Sequence, residues 1–160
     1  MRMQHGFTLV ELMVTLLILG IAVSGVGLMV DSARARDTER TVDELRRALE
    51  TAATRADVRG RRFAIDFGTD GYRFLELDAH GEWRAVESDP ALAAQRLPDG
   101  LRWAGLRELT DGPSASPVHR RIVIGSRPPR YQLGLRQADR LHVLESDASG
   151  QVHHVVSHVE

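Results

Sequence analysis

Gly6-Phe7-Thr8-Leu9-Val10-Glu11 opens an apolar run that continues to Val30, and from Phe7 to Val30 the sole ionisable side chain is Glu11. At a rise of ~1.5 Å per residue a helix of that length reaches about 36 Å, more than the ~30 Å hydrocarbon core of a bilayer. The run therefore predicts a membrane-spanning helix. Only six residues precede it, and the nearest approach to a small-x-small cleavage site, Ser24-Gly25-Val26-Gly27, is a poor match. It does not read as a cleaved secretory signal. A carboxylate inside such a helix costs on the order of 2.5 to 3.5 kcal/mol on insertion scales and marks a functional pairing. Glu11 needs a cation.

The residues GFTLVE resemble the type IV prepilin signature, shared by pilins and by the pseudopilins of type II secretion. The resemblance implies that a membrane-embedded prepilin peptidase cuts after Gly6 and methylates the new amino terminus on Phe7. It also implies that Glu11 pairs with the terminal amine of a neighbouring subunit entering a filament. Phe7 and Glu11 stand at i and i+4, so amine and carboxylate share one helix face, which is compatible with that role.

The length of 160 residues suits one domain plus a membrane segment, and a formal net charge of −1 gives no global case for a nucleic-acid or anionic-membrane partner. All 21 basic side chains are arginine, read here as a compositional bias. Without cysteine there is no disulfide framework, thiolate nucleophile or cysteine metal site. Many type IV pilins close a loop with a disulfide, so its absence leans toward a pseudopilin. Arg34, Arg36 and Arg40 follow the apolar run, interleaved with Asp31, Asp37 and Glu39, so charge alone does not orient the chain. The prepilin resemblance does: the peptidase works at the cytoplasmic face, which places the bulk of the chain in the periplasm.

From Asp31 to Arg59 the pattern is helical, with Val42, Leu45, Leu49, Ala52, Ala53 and Ala56 recurring at three and four residues. Gly60 is the expected stop. Membrane and amphipathic segments form one rod, apolar all round in its first half and along one stripe in its second. After Gly60 the period changes to two. Phe63, Ile65 and Phe67 alternate, Gly68-Thr69-Asp70-Gly71 turns, and Tyr72 to Leu77 returns as a hairpin. Further strands are expected at Trp83 to Glu87, Leu101 to Trp103, Arg121 to Ile124, Tyr131 to Arg136, Leu141 to Glu145 and Val152 to Val156, with a short helical turn at Asp89 to Ala94. The expected class is α+β: a long N-terminal helix packed on a C-terminal antiparallel β-sheet or small β-sandwich, pilin-like. The organisation is residues 1–6 leader, 7–30 transmembrane helix, 31–60 amphipathic helix and 61–160 periplasmic β domain.

Within that family, Gly71-Tyr72-Arg73-Phe74, Trp83 and Leu97-Pro98-Asp99-Gly100-Leu101 resemble the minor pseudopilin H group of type II secretion. This implies a structural subunit at or near the tip of a short pseudopilus that supports export of folded proteins. Its partners would be other major and minor pseudopilins, the prepilin peptidase, the inner-membrane assembly platform and secreted cargo. The location implied is the inner membrane, single-pass, with a cytoplasmic N-terminus. The alternative is a minor pilin of a type IV pilus engaged in DNA uptake. For that, Arg55, Arg59, Arg61 and Arg62, or Arg120, Arg121, Arg127 and Arg130, could touch phosphates, although such arginines more commonly form a solvated face.

No enzyme is expected, and neither a cofactor nor a metal. His153 and His154 are adjacent and on a strand point to opposite faces; His154 and His158 share a face about 13 Å apart at ~3.3 Å per residue, too far for one ion, though on a helix they could share one. Ser114 and Ser116 lack a nucleophile-elbow pattern, and no glycine-rich phosphate loop is present. Asp66 with Asp70, or Asp147 with Ser149, could serve calcium, but turn acids usually bond their own backbone.

Overall fold

The computed structural model describes residues 9–109 and 121–158, with residues 21–31 described by backbone alone. The expected leader 1–6, the Gly6–Phe7 bond, Ser114, Ser116 and Arg120 lie outside the described residues. Two compact units divide the chain, one ending at Asp37 and the other running from Thr38 to Glu160.

The two expected helical segments form a single helix, α1, Leu9–Arg59. It stops where the sequence says it should: Gly60 takes φ +62°, the left-handed conformation in which a residue without Cβ ends a helix at least cost. In the second unit the stripe Val42, Leu45, Leu49, Ala52, Ala53 and Ala56 is buried, and Thr38 and Ala48 extend it. On the outward side Arg40 donates to Glu44 at 2.9 Å and Arg46 to Glu50 at 3.0 Å, pairs at helical i,i+4 spacing.

Nine strands are described, one more than the eight expected. β1 (Phe63–Phe67) and β2 (Gly71–Leu77) make the predicted hairpin, with Ile65 opposite Phe74. β3 (Trp83–Ala85) is shorter than expected, and Asp89 caps a 3₁₀ turn at Pro90–Leu92 by accepting from the Ala91 amide. β4 (Gln95–Arg96) was not anticipated. It crosses Gly71 so closely that a Cβ there would stand 2.3 Å from the Gln95 carbonyl oxygen, which is why the strand starts on glycine. The remaining strands are β5 (Leu101–Glu108), β6 (Arg121–Ile124), β7 (Tyr131–Gln137), β8 (Arg140–Ser146) and β9 (Val152–His158).

These pair in two antiparallel sheets: β3-β2-β1-β6 with β4 also on β2, and β5-β7-β8-β9. The α1 stripe, Phe63, Ile65, Tyr72 and Phe74 of the first sheet, and Leu133, Leu135, Leu144 and Val152 of the second belong to one hydrophobic core. Trp103 of β5 ties the sheets together. Its indole N–H donates to the Gly68 carbonyl at 2.8 Å, and its ring meets Phe67 edge-on at 4.9 Å. The architecture is α+β, a helix packed on antiparallel sheets.

Candidate functional site

The described start of α1 differs in kind from the rest of the chain. Leu9, Val10, Leu12, Met13, Val14, Leu16, Leu17, Ile18 and Leu19 are all exposed, on every side of the helix. Thr15 adds no free polarity, because its hydroxyl donates to the Glu11 carbonyl at 2.7 Å. In this stretch the Glu11 carboxylate, in the first turn, is the one formal charge. A contiguous apolar surface of this extent marks contact with lipid or with protein. Among the described residues no helix is long and apolar enough to cross a membrane; side chains 21–31, all but the last inside the expected 7–30 span, lie outside the description.

Several charged residues singled out in the sequence are committed to intramolecular pairs. Asp66 of β1 is bracketed by its cross-strand neighbours, receiving Arg121 Nε at 2.5 Å and Arg73 Nη2 at 3.3 Å. The Arg121 hydrogen bond chiefly holds its carboxyl below the usual carboxylate range. Arg55 pairs with Asp89, and Arg61 with Glu76 at 2.7 Å. Arg59, Arg62, Arg127 and Arg130 are exposed. Asp147 accepts the Ser149 hydroxyl at 2.6 Å and the amides of Ser149 and Gln151, so it holds its own turn as the bland reading of turn acids expects. Those bonds, the Ser149 hydroxyl first, lower its pKa.

The histidines form an arrangement that the sequence reading does not anticipate. His154 and His158 lie on a strand, β9, so the helical i,i+4 metal geometry does not arise. Instead His154 meets His142 of β8: His142 Nδ1 and His154 Nε2 are 3.1 Å apart, with the rings stacked at 19°. The hairpin register explains the meeting, since Leu144 faces His154 and His142 faces Val156, making the two histidines diagonal neighbours on one face. His142 is 2% exposed, and its Nε2 is buried without a hydrogen-bond partner. If His154 donated, the His142 proton would sit on that orphaned Nε2, and an unsatisfied buried donor costs about 1–3 kcal/mol. The favoured assignment therefore has His142 Nδ1–H donating to His154 Nε2. Burial is the main influence lowering the pKa of both rings.

Among the described residues no group of three or more histidine, aspartate or glutamate side chains could hold a metal ion. An open cleft over the β1–β2 turn is lined by Asp66, Asp70, Tyr72, Arg73, Gln95 and Arg96. Asp66 and Arg73 are salt-bridged there, and Tyr72 is pushed to a higher pKa by burial, so the cleft offers no activated nucleophile.

The family described as the prokaryotic N-terminal methylation motif matches residues 1–27. The type II secretion system protein H of Pectobacterium carotovorum subsp. carotovorum is 29% identical over 138 residues, covering 86% of this chain and 66% of that protein. The protein of the same name from Klebsiella pneumoniae is 31% identical over 104 residues, covering 65% and 58%. That from Pseudomonas aeruginosa is 30% identical over 117 residues, covering 70% and 62%. The chain thus spans less than two thirds of the length of these relatives. Two solved structures of the minor pseudopilin EpsH of Vibrio cholerae superpose with TM-scores of 0.58 and 0.56 at 12% and 15% identity. They cover 78% and 74% of this chain and 96% of EpsH in each case. The chain has the fold of that pseudopilin.

Proposed function

We propose that the chain is a minor pseudopilin, a structural and non-catalytic subunit of a type II secretion pseudopilus at or near its tip. The observation that carries this reading is the pairing, in one chain, of a methylation motif over residues 1–27 with a helix-on-sheet domain of the EpsH kind. Residues 1–6 form a leader removed by prepilin peptidase, and Phe7 is the methylated terminus. Residues 7–30 hold the subunit in the inner membrane, 31–60 continue as the amphipathic helix, and the β domain 61–160 lies in the periplasm. The exposed apolar surface of Leu9 to Leu19 sits in lipid before assembly and against neighbouring subunits after it. Glu11 pairs there with the terminal amine of a neighbour.

The β domain presents its surface to other pseudopilins or to cargo, while platform, peptidase and energy source belong to other proteins. Deletion is expected to abolish secretion of folded exoproteins and to leave twitching and transformation intact. The opposite pattern would assign the chain to a type IV pilus. Glu11→Leu should spare cleavage and impair incorporation; assembly at the normal level would remove the ion pair from the account.

A further inference from the structure

Among the described residues β9 is the outermost strand of its sheet, bonded on one side to β8. Three side groups hold its first half: the Val152 amide donates to Glu50 of α1 at 3.2 Å, His153 Nε2 lies 3.6 Å from Asp147, and His154 stacks on His142. Beyond them Val155, Val156, Ser157 and His158 are exposed.

Proton counting on the histidine pair has a fixed outcome. The two rings offer four nitrogens, and two protons keep both neutral. Nδ1 of His142 and Nε2 of His154, 3.1 Å apart, cannot both carry a proton while they touch. With a third proton, one nitrogen of that contact and both outer nitrogens are filled, among them the buried Nε2 of His142, which has no acceptor among the described residues. A fourth proton breaks the contact outright.

The surroundings do not offset this. Across from the pair α1 places Glu39 and Asp43, which favour charge, and Arg46, which opposes it; Arg140 of β8 also opposes it. Asp43 is already shared with Arg46, 3.6 Å away. Burial is the larger influence on both rings and keeps them neutral below the ordinary histidine range.

We propose that His142 and His154 form an acid-sensitive latch that keeps β9 on β8 while both rings are neutral and releases it when the pair is charged. The sign follows from the burial. A histidine held neutral in the fold contributes stability that is complete above its unfolded value, 6.5, and is lost as pH falls below it. β9 carries that loss because His154 is its own side chain and, among the described residues, β8 is its one strand neighbour. This property belongs to the β domain and does not depend on which filament the subunit enters.

Amide hydrogen exchange of the full chain in detergent micelles, corrected for intrinsic rates, tests it between about pH 7.5 and about pH 5. Amides of Val152 to His158 are expected to lose protection at least tenfold more than those of Tyr131 to Gln137 as pH falls below 6.5, and the two rings to titrate below that value by NMR. Exchanging both histidines for leucine should flatten the acid response of β9. Should that variant not fold, the wild-type profiles decide alone. β9 protection that follows β7 throughout, loss of both strands together, or a His142 ring that titrates at or above 6.5 would each overturn the latch.

Discussion

Two stretches of α1 are built from the same kinds of residue and do opposite things with them. From Leu9 to Leu19 nine large apolar side chains cover the helix on all sides and every one is exposed, whereas from Val42 to Ala56 they fall on one stripe and are buried. The difference is one of period. A 3.6-residue stripe needs cover on one side, which the two sheets supply, burying the alanines at 48, 52, 53 and 56. A helix apolar all round has no polar face to give to water, and its cover comes from lipid or from other chains. One stretch encodes the fold, and the other, on the proposed function, encodes the assembly.

That contrast can be broken by paired substitutions. Leu49→Ala should cost about 2–5 kcal/mol of unfolding free energy, because Leu49 is fully buried and its removal leaves a cavity. Leu16→Ala, at a position 67% exposed, should change the same quantity by no more than about 0.5 kcal/mol. Denaturant titration of the full chain in micelles measures both, and equal costs would erase the distinction. Gly71→Ala extends the test to the sheet, where the new Cβ must push the Gln95 carbonyl aside. A loss of about 1–3 kcal/mol is expected, with a shifted melting temperature as the readout. The smallest effect has the opposite sign. Thr38 is buried with its hydroxyl unpartnered, so Thr38→Val should stabilise by up to about 1 kcal/mol. A clear loss there would mean that the hydroxyl has a partner.

How far the chain could be read in advance follows the same division. The stripe, the Gly60 stop and the β1–β2 hairpin are local patterns of period 3.6 or 2, and local patterns survive folding. β4 escaped because two residues show no period, and β5 runs past Trp103 because its register shifts between Trp103 and Gly105, breaking the alternation. The pairing of Asp66 with Arg121 joins residues 55 positions apart and leaves no local trace. The His142–His154 contact did leave one. The turn at Asp147 to Gly150 fixes the hairpin register, from which the diagonal pair can be counted, whereas His153, His154 and His158 taken by themselves do not show it. At the assembly end Glu11 was legible as a costly charge in an apolar helix, and the role assigned to it rests on the motif around it.

The most direct measurement is the intact mass and amino-terminal sequence of the chain recovered from cell membranes. A mature chain that begins at Phe7 with a methylated amine is expected, and a full-length precursor when Gly6 is replaced by a bulky residue. A wild-type chain that still begins at Met1, or is cut anywhere other than after Gly6, would contradict that expectation.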